Sequence, residues 1–402
     1  MCGIAGSTRA APPVLEIMRA RLGHRGPDAD GLWTENSAGE GIGFAHTRLA
    51  VIDLSPRAAQ PMASADGRFV LCYNGEIYNF RELRQELAAK GTAFRSDSDT
   101  EVLLALLAQD GIAALDRVVG MFAFALWDNE RRELTLARDR LGIKPLVYAP
   151  LDGGGLAFAS EIDALKAHPG IDLGTDGDAL SAYLACLYVP APATIYRGIR
   201  KLPPGHVLQW QGGTIRITSY WRPQITGGRQ LSTDNAVEEL LPLLRRAVTD
   251  RLVADVPVGC FLSGGSDSAL VAAVMAEEAR RSGAPPIRTF TMTFDEAAYD
   301  ERHRAGQIAD HIGANHTELA ASPRLAGRLD AIAGAFGEPF GNPTALLIDD
   351  LSEQARQHVT VALVGDGGDE VFAGYPRYAG GLLAQRYRRL PRLLREGVIG
   401  PA

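Results

Sequence analysis

At 402 residues the chain exceeds what one ordinary hydrophobic core organises, so two domains are expected. An apolar fraction of 46%, a charged fraction of 22% and a net charge of −7 give no general attraction for nucleic acid or anionic membrane, and favour a small-molecule substrate. The four cysteines, Cys2, Cys72, Cys186 and Cys260, lack the paired spacing of a zinc site or a disulfide framework. With no signal-peptide core and no run of about 20 apolar residues, a cytoplasmic protein is expected.

The chain begins Met-Cys-Gly-Ile-Ala-Gly, with a cysteine where residue identity usually matters least. One chemistry makes the position valuable: loss of Met1 leaves Cys2 with a thiol and a free α-amine, a nucleophile and a base on one residue. The bland alternative is a chance cysteine. Next come two β-rich stretches, "GFAHTRLAVIDL" and "FVLCYNGEIYN", the second carrying the turn signal Asn74-Gly75. "NFRELRQELAAKG" reads as a helix with Asn79 as cap, Glu82 three residues on and Gly91 at its end. "MFAFALWDNERRELTLARD" reads as a hairpin, and the half as a whole as an α+β sandwich.

A polar, glycine-bearing segment at residues 222–235 is the expected domain boundary, followed by the helix "AVEELLPLLRRAVTDRL". Beyond it "VPVGCFL", "DSALVAAVMAEEARRS", "IRTFTMTF", "ERHRAGQIADHIG" and "VTVALVG" alternate strand with helix, the pattern of an α/β doubly wound parallel sheet. Between the first strand and its helix lies "SGGSDS". Gly264 and Gly265 let backbone N–H groups approach a ligand, Ser263 and Ser268 add hydroxyls, and Asp267 suits a magnesium ion held between phosphates. An ordinary capped turn is the competing reading, and the G-x-x-x-x-G-K-[ST] loop is absent. After the strand "VTVALVG", Asp366, Asp369 and Glu370 stand among glycines; Mg–ATP would satisfy them, and a solvated turn is the alternative.

With these residues in view, the chain resembles the glutamine-hydrolysing asparagine synthetases over nearly its whole length. "MCGIAG", "HRGPD", "TRLAVIDL", "YNGEIYN", "SDTEVLL", "ARDRLGIKPL", "FASEI", "FLSGGSDS", "YDE" and "GDGGDEVFAGY" occur in the family's order. The resemblance implies an N-terminal-nucleophile glutaminase domain over residues 2–222 and an ATP-binding synthetase domain over 235–402, incomplete at the C-terminus because the family's later "RVPFLD"-like and "K-x-G-F"-like segments are not found. It implies that Cys2 attacks the glutamine side-chain amide, that Arg48 takes the α-carboxylate and Asp99 the α-ammonium, and that Glu76 is also among the glutamine-binding residues. Asn74 and Gly75 would form the oxyanion hole. Bland readings stand beside these: Arg48 in a surface ion pair, Asp99 as the cap of a helix, Asn74-Gly75 as a mere turn.

In the second domain the resemblance implies ATP binding by Ser263, Gly264, Gly265, Asp267 and Ser268, and magnesium near Asp267, Asp369 and Glu370. Asp366 matches a position where a glutamate can stand and a base for ammonia has been placed. The substrates implied are glutamine, aspartate and ATP, and a homodimer is common in the family. Two alternatives stay open: transfer of ammonia to another carboxylate, or a glutaminase-only or regulatory module.

Overall fold

The computed structural model describes the chain except for residues 36–40, 225–226, 297–299, 323–324, 392–394 and 396–402. Tyr299 of the "YDE" motif and Ile225 and Thr226 of the expected boundary segment therefore lie outside the described residues.

Two compact units form, one from Met1–Pro257 with Ser322–Gln354, the other from Val258–Ala321 with Ala355–Ala402. In the first, the period-2 pattern of the strand Phe69–Ile77 explains the layering. Val70 and Cys72 face one way and join Ile4, Phe44, Trp127 and Phe158 in a core between two six-stranded antiparallel sheets. Leu71, Tyr73 and Ile77 face the other way and pack against Leu83, Leu87, Val102 and Leu103 of the helices Phe80–Ala89 and Asp99–Asp110. On the opposite flank, Ala5, Ala45 and Ala157 pack against Leu15, Met18 and Leu22 of the helix Pro12–Arg21 and the turn that follows it. The result is a two-sheet sandwich of the N-terminal-nucleophile type, clad on both faces by helices.

The first sheet runs Arg200–Lys201, Val147–Leu151, Gly155–Ala159, Gly3–Ala10, Gly41–Arg48, Ala29–Thr34. The strand that follows Cys2 is therefore interior, not a frayed edge. The second sheet runs Thr214–Ser219, His206–Gln211, Glu133–Arg138, Gly120–Asp128, Phe69–Ile77, Met62–Ala63, and contains the hairpin read from the sequence. Two local expectations fail here. Asn74-Gly75 is no turn; it lies within a strand, with Asn74 opposite Ala123 and Gly75 opposite Phe122. Asn79 precedes the helix Phe80–Ala89 but does not cap it, because its side-chain amide is committed to Arg117 O and Val119 N, both at 2.9 Å.

In the second unit four parallel strands run Asn315–Ala320, Arg288–Thr293, Val258–Phe261, Val361–Leu363. The chain advances from Val258–Phe261 in one direction, then returns to place Val361–Leu363 on that strand's other side. This creates a topological switch point beyond the ends of Phe261 and Leu363, the place where open α/β sheets bind ligands.

Candidate active site

Cys2 stands immediately before the strand Gly3–Ala10. Gly3 leaves no room for a side chain: a Cβ would come within 2.6 Å of Thr47 Oγ1 and 2.9 Å of Leu22 Cβ. The Cys2 thiol is half-buried and donates to the Leu49 carbonyl at 3.6 Å. Its own carbonyl accepts from Arg25 Nε at 2.9 Å, and Arg25 pairs at 2.5 Å with Glu161, which also meets His24 Nε2 at 3.0 Å. Burial pushes the Cys2 thiol up, opposed by the Leu49 hydrogen bond and by the positive charges of the N-terminus and Lys144. A thiol so held needs a base to become a nucleophile.

Beside it runs the middle of the strand Phe69–Ile77. Asn74 is 1% exposed, and its Nδ2 has no hydrogen-bond partner. A buried amide donor left unpaired is costly unless a ligand completes it. Gly75 is required by close approach, since a Cβ would lie 2.3 Å from Met121 O. Tyr73 on one side and Ile77 on the other both reach Asp99: Tyr73 Oη and Ile77 N each donate to its Oδ2 at 2.9 Å. Asp99 is not the helix cap. Ser98 is, its side chain accepting from Thr100 N at 3.2 Å, and Asp99 is the first residue of the helix. Burial holds the Asp99 carboxyl above its ordinary range despite these donors.

Arg48 ends the strand Gly41–Arg48, buried. Its guanidinium donates to the carbonyls of Ser55, at 3.0 Å, and of Asp53, and it pairs with no carboxylate among the described residues. The surface-ion-pair reading fails, and a buried cation that faces only carbonyls is suited to an incoming anion. Glu76 is pushed up to about 7 by burial, with the Lys144 charge pulling down and Asp99 pushing up. Lys144 and Asp99 both act electrostatically on Cys2 and on Glu76, so these four groups share one region of the unit.

Lys144 was not singled out from the sequence, though "ARDRLGIKPL" contains it. Its position depends on Asp139, 1% exposed, whose carboxylate accepts from Phe122 N, Leu141 N, Ile143 N and Lys144 N at 2.9–3.2 Å. Arg25 and Glu161 were likewise present in "HRGPD" and "FASEI" without a role. The signal available was a charged residue inside each motif; the contacts of Arg25 with the Cys2 carbonyl and of Glu161 with Arg25 join distant segments and need the fold.

In the second unit, Ser263–Ser268 and Gly365–Glu370 occupy the switch point. Ser263 Oγ and Ser268 Oγ are 2.8 Å apart, and Ser263 N donates to Ser268 Oγ at 3.1 Å. The helix Ser266–Ser282 has Gly265 at its cap position and no side-chain cap, so its first N–H groups stay available for an anion. Gly264 N already donates to a carboxylate, Glu301 Oε2, at 3.3 Å. The two loops meet: a Cβ on Gly368 would fall 2.1 Å from Asp267 Oδ2, and one on Gly365 would fall 3.1 Å from Asp267 Cβ. Asp366 and Glu370 are exposed, with Glu370 accepting from Tyr375 Oη at 2.8 Å. Among the described residues no three His, Cys, Asp or Glu side chains gather closely enough to hold a metal by themselves. Asp267, Asp369 and Glu370 therefore fit magnesium only in its usual nucleotide-bound form, with one or two carboxylates and the rest of the shell from phosphate and water.

A two-sheet sandwich with a cysteine at its chain terminus, and a parallel sheet with paired glycine loops at its switch point, make an amidotransferase joined to a nucleotide-binding unit. A glutamine amidotransferase domain family matches residues 1–221, and an asparagine synthase family matches residues 239–401. The chain belongs to the glutamine-hydrolysing asparagine synthetase family. It is 34% identical to asparagine synthetase [glutamine-hydrolyzing] 1 of Bacillus subtilis, covering 98% of this chain and 62% of that protein. It is also 34% identical to a putative asparagine synthetase [glutamine-hydrolyzing] 2 of Methanocaldococcus jannaschii, over 98% and 79%. Amidase chry2 of Gibberella zeae is 30% identical over 97% and 60%. The chain thus spans a little under two thirds of the length of the Bacillus relative. No helix among the described residues is long and apolar enough to cross a membrane.

Proposed function

We propose that the chain is a glutamine-dependent asparagine synthetase, in which ammonia released from glutamine at Cys2 converts an aspartyl-adenylate to asparagine. The observation that carries the glutaminase half is the unpartnered, buried Asn74 Nδ2 beside Gly75 and next to the Cys2 site. Once Met1 is removed, the Cys2 α-amine takes the thiol proton and the sulfur attacks the glutamine side-chain carbonyl. Asn74 Nδ2 and the Gly75 N–H receive the oxyanion, an arrangement worth about 3–4 kcal/mol per donor in acyl transfer. The C–N bond breaks as the amine returns the proton to nitrogen, which leaves as ammonia. Water then opens the glutamyl thioester, restoring the thiol and releasing glutamate. Arg48 binds the α-carboxylate, and Asp99 and Glu76 the α-ammonium.

In the second unit Ser263, Gly264, Gly265, Asp267 and Ser268 bind the ATP phosphates. Asp267, Asp369 and Glu370 are the residues that would hold magnesium, whose charge would offset that of the phosphates. The aspartate side-chain carboxylate attacks the α-phosphorus and pyrophosphate leaves. Ammonia attacks the acyl carbon, AMP departs, and Asp366 accepts the proton. A second reading, transfer to a different carboxylate, stands because the family relatives include a protein that is not named a synthetase, an amidase, so the acceptor is not fixed by the likeness.

The test is mass spectrometry of products from the purified chain with Mg–ATP, aspartate and either ammonium or amide-15N-glutamine. Labelled asparagine with AMP supports the proposal. Glutamate without asparagine or AMP overturns the synthetase half, and the same result relieved by another carboxylate selects the second reading.

A further inference from the structure

Gripping glutamine by its α-carboxylate and α-ammonium requires Arg48 and the Asp99 region to keep a fixed separation, yet they belong to different elements, the end of the strand Gly41–Arg48 and the start of the helix Asp99–Asp110. One residue touches both sides. Asp53, 7% exposed, accepts from Arg48 Nη2 with its carbonyl, while its carboxylate accepts from Ser55 N at 3.0 Å and from Asp97 N at 2.8 Å, two residues before Asp99. Its backbone is left-handed, with φ of 52°, a region uncommon for non-glycine residues that aspartate reaches more readily than most and that its surroundings here enforce. The enforcement is visible. Asp53 N donates to Asp255 Oδ2 at 2.8 Å, and Asp255 N donates back to Val51 O at 2.8 Å, a reciprocal latch between segments 202 residues apart.

We propose that Asp53 is a positioning residue of the glutamine site, setting Arg48 against Asp99, and that Asp255 locks it in its left-handed conformation. This rests on the reading of that site given above. Asp53 does not touch the reacting atoms. It fixes the cation through its carbonyl and the helix start through its carboxylate, so its loss should loosen the grip on the α-groups and spare the chemistry at the amide carbon. Asp255 is exposed, and removing its side chain takes nothing from the core.

The experiment uses the full chain and follows glutamate release against glutamine concentration for Asp53→Asn and Asp255→Ala. Asp53→Asn should raise KM for glutamine about tenfold and Asp255→Ala about threefold, with kcat changed less than about twofold. Two probes of Cys2, read on its own peptide by mass spectrometry, separate positioning from collapse. Iodoacetamide, which has no α-groups, should alkylate Cys2 at the parent rate. The glutamine analogue 6-diazo-5-oxo-L-norleucine should label it more slowly, by the factor lost in kcat/KM. Unchanged KM in both variants overturns the proposal, as does slowing of iodoacetamide by the same factor as the analogue. Persistent glutamine hydrolysis in Cys2→Ala would instead remove the underlying reading of the site, and the proposal with it.

Discussion

The two candidate sites are built in opposite ways. Around Cys2 the carboxylates Asp99 and Asp139 are buried and held by named donors, Asp99 by Tyr73 and Ile77 and Asp139 by four main-chain N–H groups, while Cys2 gives its thiol hydrogen to the Leu49 carbonyl and accepts at its own carbonyl from Arg25. Around the switch point of the second unit Asp366 and Glu370 are exposed, and Asp267 faces bare glycine backbone. The first site is preorganised and waits with one donor unpaired. The second consists of acceptors and free helix N–H groups that become a site when phosphate and cation arrive. Preorganised groups should therefore fail when a single atom is changed, whereas the second site should respond chiefly to its ligands.

The sharpest break in this comparison is Cys2→Ala. Loss of the nucleophile should reduce glutamine hydrolysis by about a thousandfold or more, while ammonium-dependent asparagine formation in the same preparation stays within about twofold. Parallel loss of both activities would mean that the two sites are not separable. The reverse cut is Asp267→Ala, which should lower AMP and pyrophosphate release about a hundredfold and leave glutamate release unchanged, because the proposed chemistry at the glutamine amide uses no residue of the Ser263–Ser268 loop. Isothermal titration should show the defect as weakened Mg–ATP binding; intact binding with lost turnover would argue that Asp267 acts on the transition state instead.

Asp99→Asn tests preorganisation itself. Removing a charge from an acceptor that already serves Tyr73 and Ile77 should raise KM for glutamine by about 10- to 100-fold, the scale of a charge-assisted hydrogen bond, and move kcat little. Glu101 lies two residues further along the same helix and supplies the control. Burial opposes its ionisation, but hydrogen bonds from Ser96 and Arg95 hold its carboxyl below the ordinary range, so it is structural. Glu101→Gln should cost stability, read by thermal unfolding, with KM for glutamine unaltered.

That pair also shows what the sequence could and could not convey. The letters "SDTEVLL" announce a helix start, and Ser98 caps it as such letters usually do. Nothing in them separates Asp99, held protonation-prone by burial, from Glu101, kept ionised by the turn before it. The layered fold was legible because the β-rich run in "FVLCYNGEI" and the strand–helix alternation after residue 257 are local signals. Asn74-Gly75 misled because its turn propensity is overridden by pairing with Ala123 and Phe122, and because the glycine is needed for close approach to Met121 O rather than for a bend. Asn79 misled for a similar reason, its amide drawn away from the helix by residues 117–119. Lys144, Asp53 and Asp139 were silent because their meaning lies in contacts across the fold.

The smallest expected effect bears most directly on why the first site keeps an unsatisfied charge at all. Burial pushes the Glu76 carboxyl up to about 7 from its ordinary 4.5. Between those values the folded chain retains a proton that the unfolded chain has released, so this residue favours folding most on the acid side and its contribution falls as pH rises through about 7. Glu76→Gln is permanently neutral and loses that slope. It should gain a few degrees in Tm over the parent at pH 8 and none at pH 4, measured by calorimetry at matched ionic strength. The same substitution should worsen KM for glutamine most above pH 7, where the parent carboxylate is ionised and able to meet an ammonium group. A gain in Tm without a KM defect would make Glu76 a buried charge with no use. Both together would show that the site holds a carboxylate against its own stability because glutamine supplies the missing cation.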